Sequence, residues 1–522
     1  GGDLAGANKT LILNSGTAVT TTNAMGTSGN GNGLGNITIT TNEFNPLANI
    51  YGQGTLVIKP STSGNTILLG GSTNDNSNSV LDLTATELGY LQPGFTGVTF
   101  GSSLTGAITL STNQTFTSAI TFDTNGANVN LGANLTGTGN GTFTFSDPVV
   151  IAIPTVVIST ENQNILFSGL VDGTSSGANS LSIHAGSGNI TFNGRVGSLY
   201  DLNVFTLDNT GDTWINSRVN TASIVTGTNG RTIINYSLIE TTGAQTYNNV
   251  VLINVDTVMT TSNADITFAR TVDSYDGTAR TLSITAGGTN TLAFNGLVGA
   301  TNQLNTTSLT ASNVVITAAI SMGAHALTVN ADTLAISANI AGTSTLTIQP
   351  KTATTTIGLA GASGDLNLSV AELDLIQDGF SLITIGSATG TGKITSNTYT
   401  FKDTLKLING GATSNGGIEI AGAFSVLGGT SGSSNNLTLN SRGSVTQGAS
   451  IAAYGLELLG AGGTYTLTNT SNAITTLAGS TGTVSFVENS GFAIGTVNTA
   501  GLTTTGNITL NTTATVTQSN LL

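Results

Sequence analysis

The chain has 522 residues, a net charge of −14, no cysteine and only 7% charged residues. The acidic balance argues against nucleic acid and anionic membrane as partners, because both attract basic faces. The missing thiols exclude zinc–thiolate, iron–sulfur and cysteine-nucleophile chemistry.

Composition points to a folded β protein. Hydrophobic residues make up 38% of the chain and fall in short bursts, with 69 glycines and 6 prolines; disordered chains lack such bursts. No run reaches the roughly 18 apolar residues of a membrane helix, so no membrane insertion is expected. The start at Gly1 carries no charged and apolar leader pattern, and the chain reads as a mature product or an internal piece of a longer protein.

In chain order, TLILN (10–14) is the first strand phrase, followed by a Gly-rich corner at 30–36 and by NITIT (36–40) and TLVIKP (55–60). STNDNSNS (72–79) reads as an inserted loop. Leu83-Thr84-Ala85-Thr86-Glu87-Leu88 breaks the β pattern. Thr84 with Glu87 three residues later forms a capping box, and Leu83 with Leu88 forms a hydrophobic staple. A short helix of one to two turns is predicted near 84–92, ended by Pro93-Gly94, with Phe95 tucking into the core. Strand phrases then resume: AITL (107–110), TFTF (142–145), SLSIH (180–184), TLSIT (281–285) and TLTIQP (345–350). Ser369, Glu372 and Phe380 repeat the capping-box chemistry and predict a second helix over 369–377. These helices are either corner pieces that seal the core or protruding contact elements. NLTLN (436–440), YTLTN (465–469) and NITLN (507–511) complete the series.

The phrases repeat at irregular spacings. VLDLTATELGYLQPGFTGVTFG (80–101) returns as DLNLSVAELDLIQDGFSLITIG (365–386), an offset of 285 from Glu87 to Glu372. GNITFNGRVG (188–197) returns as TNTLAFNGLVG (289–299), and LTLNSRGSVTQ (437–447) as ITLNTTATVTQ (508–518). Related segments are therefore 50–125 and 340–410, 150–200 and 250–300, and 430–450 and 505–520. Such repetition predicts an all-β, right-handed parallel β-helix, one continuous solenoid over 1–522. At roughly 20 residues per turn it makes about 25 turns, and at about 4.8 Å per turn a rod on the order of 120 Å. The stretch 230–260 has the weakest repeat phrasing and leaves room for a bend.

The densest polar group is Asp201, Asp208, Asp212, Trp214 and Arg218. The only tryptophan beside carboxylates suggests a sugar platform, so Asp208, Asp212, Trp214 and Arg218 are candidate glycan contacts, set against a turn with ordinary solvated Asp and a packed Trp. His184 and His325 lie in separate repeats, and a paired metal or Ser–His site is not expected. Asp273 and Asp276 in VDSYDGT are the one candidate calcium loop. No catalytic residue, metal site or cofactor is expected. Asn-x-Ser/Thr sequons recur, at Asn113, Asn134 and Asn189 among others.

The pattern LDL-x3-EL-x5-GF-x5-G, with the run at 437–479, resembles the repeats of large filamentous-haemagglutinin-like bacterial surface proteins. The resemblance spans most of 50–520. It implies a secreted β-helix, often exported by two-partner secretion, that serves adhesion, aggregation or biofilm at the cell surface. Host or neighbouring-cell surfaces, glycans or matrix would be its partners. Asn45-Pro46-Leu47 is only a partial match to the family's Asn-Pro-Asn-Leu-type secretion motif, so the export route is an analogy. Two other readings stand beside adhesion: the protomer of a self-associating extracellular fibre or sheath, and a polysaccharide-binding or polysaccharide-cleaving β-helix.

Overall fold

A computed structural model describes residues 9–28, 33–72, 79–411 and 416–521. The inserted loop at 72–79 lies largely, and the Gly-rich corner at 30–36 partly, outside the described residues. The chain divides into two compact units, Gly1–Val255 and Asp256–Leu522. The division lies in the stretch with the weakest repeat phrasing. Each unit is a parallel β-solenoid; strand makes up 51% and helix 2%, in about 22 coils among the described residues. The coils are fewer than 25 because most are longer than 20 residues: Ile120 pairs with Phe143, Phe143 with Ile165 and Ile165 with Ile190.

In the first unit one coil runs through Ile120–Asp123, Val129–Leu131 and Leu135–Gly137, then returns to Phe143–Phe145 over the first of these. Every alternate residue points inward, so a pattern of two buried positions around one partly exposed position repeats in each three-residue strand. The register does not slip along the strands from Gly97–Gly101 to Ile190–Phe192, which places like residues over one another. Phe100, Phe122, Phe145, Phe167 and Phe192 form one ladder. Their rings close from 6.2 to 4.8 Å, and the planes from 22° to 6°, along the stack. Ile215 and Ile234 continue the column.

The corner after this column is held by amides. Asn216 donates to Asn193 (2.9 Å), Asn235 to Asn216 (3.1 Å) and Asn254 to Asn235 (3.0 Å). Elsewhere asparagine oxygens accept the backbone N–H of the next coil: Asn113 from Asn134, Asn134 from Val157 and Asn189 from Asp212. Corner groups with no partner in their own coil are thereby satisfied one coil away.

The second unit stacks Phe268 on Phe294 at 5.1 Å and 8°. A leucine-rich column runs through Leu327, Leu346, Ile383, Leu405, Leu437, Leu456 and Leu477. Among the described residues no helix is long and apolar enough to cross a membrane.

The two helices are α1 (Ala85–Leu88) and α2 (Val370–Asp374). Both are about one turn, the short end of the expected one to two turns, and stop before 92 and 377. The reason is the ladder: Leu91 and Ile376 are drawn into parallel bridges with Ile50 and Ile340. Gly94 and Gly379, at φ 128° and 131°, turn the chain into the next strand rather than ending the helix. Thr84 and Ser369 are the N-caps, with both reciprocal bonds of the capping box present in each copy. Leu83, Leu88, Leu368 and Leu373 are buried, as are Phe95 and Phe380. Phe95 lies so close to Gly52 that a Cβ there would sit 2.0 Å from its ring; at Gly342 the clash with Phe380 would be at 2.7 Å. The helices are therefore corner pieces that seal the core.

Each helix follows a strand laid out of sequence order. Thr66–Gly71 pairs with Ile108–Leu110 in the next coil and with Val80–Thr84 beside it. Ile357–Leu359 likewise pairs with Ile394–Ser396 and with Leu366–Leu368. Fourteen positions separate Leu69 from Leu83, nine separate Leu359 from Leu368, so copy one carries five extra residues in this turn, where the inserted loop was expected. The third repeated phrase behaves differently. Leu437 pairs with Leu405 and Leu456, whereas Ile508 pairs with Val484 in the column of Tyr465 and Val445. Equal phrases here occupy different faces, because alternating apolar and hydroxyl residues suit any of them.

Candidate functional site

The strand Ser180–Gly186 turns Leu181, Ile183 and Ala185 inward and Ser182 and His184 outward. Its neighbour Leu202–Asn209 lies in parallel register, which sets His184 beside Asp208. The His184 Nδ1 to Asp208 Oδ2 distance is 3.2 Å, and Ser182 Oγ lies 3.0 Å from His184 Nε2. The order carboxylate, imidazole, hydroxyl is that of a nucleophilic triad. Here the imidazole and carboxylate side chains are 46% and 55% exposed, and an oxyanion formed in open water gains little from fixed donors. This arrangement was missed in the sequence, although the i, i+2 spacing of Ser182 and His184 on one strand was visible; the coil register that adds Asp208 was not.

The five residues of the predicted polar group do not form one site. Asp208 belongs to the His184 pair. Four residues later in the chain and on the next face, Asp212 is held by Arg231 through two bonds of 2.7 Å. Trp214 shares the outer face of that strand, Asp212–Ile215, and is paired in register with Ile233, itself paired with Leu252. The column passes from Thr191 through Trp214 to Ile233 and Leu252, both of which are buried. Arg218 lies round the following corner, ion-paired with Glu240. Asp201 accepts from Asn220 at 2.8 Å; burial raises its pKa above the ordinary carboxylate value against the lowering pull of the Arg195 guanidinium.

Asp273 and Asp276 diverge as well. Asp273 is buried and accepts the Ala300 N–H (2.8 Å) and the Thr301 N–H (3.2 Å) of the next coil. Asp276 accepts from Thr278 N–H at 2.8 Å and faces Arg280. His325 lies in the second unit, its N–H bonded to the Met322 carbonyl. Among the described residues no three His, Asp or Glu side chains gather into a metal-holding group.

What the outer faces do offer is repetition. Thr99, Thr121 and Thr144 stand in register one coil apart. In the second unit Ser283, Ser308, Thr328, Thr347 and Thr384 make a longer hydroxyl column. Thr310, Asn330 and Gln349 run parallel to it, Asn330 donating to Thr310 at 2.9 Å and Gln349 to Asn330 at 2.5 Å.

No protein-family model matches the chain, and neither a curated protein nor a solved structure matches it.

Proposed function

We propose that the chain is an extracellular structural and adhesive protein, secreted to the cell surface or matrix, with no catalytic step. The observation that carries this reading is the pair of outward columns, Thr99–Thr144 and Ser283–Thr384, which repeat one contact chemistry at each coil. Neighbouring coils lie about 4.8 Å apart, so a glycan polymer or a glycan-coated surface meets the same hydroxyls many times over. Many weak contacts in register give avidity without a pocket. The interior is committed to packing through the phenylalanine and leucine ladders, which keeps such a face flat and stiff. The resemblance of 80–101 and 365–386 to filamentous-haemagglutinin-like repeats supports the same reading.

The test is adhesion of beads coated with the purified chain to cell layers and immobilised glycans. Coated beads are expected to bind, and free chain to compete with them, because each chain carries the repeated column on its own. Beads that bind no surface better than uncoated beads would overturn the proposal.

A further inference from the structure

A cleft of about 270 Å³ opens beneath α1. Leu88, Leu91, Phe95 and Phe116 line it together with Thr115 and Ser118, and the exposed Thr117 and part-buried Gln92 make its polar mouth. The second copy of the repeat builds the same framework 285 residues later, from Leu373, Ile376 and Phe401, yet there the space is only about 10 Å³.

The difference traces to a few positions. Tyr399 stands where copy one has Gln114, Asp374 where it has Gly89, and Lys402 where it has Thr117. The Tyr399 hydroxyl reaches Asp374 at the end of α2, 2.9 Å away, and its ring packs edge-on against Phe401 at 4.8 Å and 81°. The Lys402 ammonium closes the mouth by donating to the carbonyls of Asp374 (2.9 Å) and Ile376 (3.1 Å). In copy one Gln114 instead turns back to Thr112, at 2.9 Å, and Gly89 offers no side chain. Copy two thus fills its cleft with a phenol from its own chain, and copy one leaves it open.

We propose that the cleft under α1 binds a small neutral phenol-type ring, the free-molecule counterpart of the Tyr399 side chain. The size suits one ring: apolar cavities of about 150 Å³ already hold benzene. Neutrality follows from the lining, which has hydroxyl and amide groups but no charged side chain. The hydroxyl of the ligand would take its partner from the polar mouth, and its ring would cover Phe116 as Tyr399 covers Phe401.

The experiment titrates the full chain with p-cresol, followed by ligand-observed NMR, with benzoate as the charged comparison. One saturable site is expected, with benzoate at least about tenfold weaker. The double variant Gly89→Asp/Gln114→Tyr grafts the filling of copy two and is expected to abolish binding. Thr117→Lys, at an exposed position, leaves the fold intact and is expected to weaken p-cresol about tenfold or more. Tyr399→Ala/Lys402→Thr, which empties the second cleft and opens its mouth, is expected to add a second p-cresol site. Absence of saturable binding, equal binding of benzoate, or undiminished binding in Thr117→Lys would each overturn the proposal, even if the double variant failed to fold.

Discussion

The rings of Phe145 and Phe167 lie face to face one coil apart, their centroids separated by 4.8 Å and their planes by 9°. Both are fully buried. This separation falls in the range that stacked aromatic pairs favour, and the backbone register sets it, because Phe145 and Phe167 are ladder partners. Phe145→Ala is therefore expected to destabilise the chain by about 3–5 kcal/mol, since it removes a ring from the middle of a close-packed column. The double variant with Phe167→Ala should cost less than the two single changes together, by roughly 0.5–1.5 kcal/mol. Urea unfolding of the three variants measures both quantities. Strict additivity would show that the stacked geometry contributes nothing beyond burial.

The capping boxes give a second prediction. Glu372 accepts the Ser369 N–H at 2.9 Å, the Ser369 hydroxyl at 2.8 Å and the Ile336 N–H at 3.2 Å. Glu372→Ala leaves these donors without their acceptor and should cost about 1–2 kcal/mol. Glu372→Gln keeps an acceptor oxygen and should recover most of that. Thermal unfolding of the two variants decides it; an equal loss in both would mean the carboxylate charge, not the bond geometry, holds the corner.

Asp403 makes stability depend on pH. Burial, and then the charge of Asp378, push its carboxyl up to about 6 against the lowering pull of the Gly379 N–H, which donates at 2.9 Å. An unfolded aspartate titrates near 3.8. Between those values the folded state holds the proton and the unfolded state does not, so the contribution to stability falls as pH rises from about 4 to about 6 and is level above. Asp403→Asn keeps a neutral acceptor for Gly379 and is expected to stabilise the chain at pH 7 by on the order of 2 kcal/mol, while flattening this part of the profile. Unfolding midpoints at pH 4, 5, 6 and 7 test it, and an unchanged profile in the variant would assign the slope to another group.

Much of the fold was legible in the sequence because its signals are local. Alternation in phrases such as SLSIH and TLTIQP marks the strands, and Thr84-x-x-Glu87 and Ser369-x-x-Glu372 mark the helix starts. Where each short helix stops was not legible, since Leu91 and Ile376 obey a bridge to a preceding coil rather than helical periodicity. The out-of-order strands Val80–Thr84 and Leu366–Leu368 look like any other strand phrase. The candidate site suffered most. Asp208, Asp212, Trp214 and Arg218 are near in sequence, but in a solenoid proximity is measured one coil apart. Asp208 therefore meets His184 and Asp212 meets Arg231, pairings that depend on the length of each coil.

The proposed function makes contact chemistry a property of whole columns, not of a few residues. The direct test is bead adhesion by three proteins: the native chain, a Asp208→Asn/Asp212→Asn/Trp214→Ala variant, and a variant with Ser308, Thr328 and Thr347 changed to lysine. The account predicts that the first two adhere alike and that the third, whose hydroxyl column is interrupted and whose surface stays folded, loses most of its adhesion. Loss of adhesion in the Asp208/Asp212/Trp214 variant with retention in the lysine variant would contradict it and place the function in a discrete site.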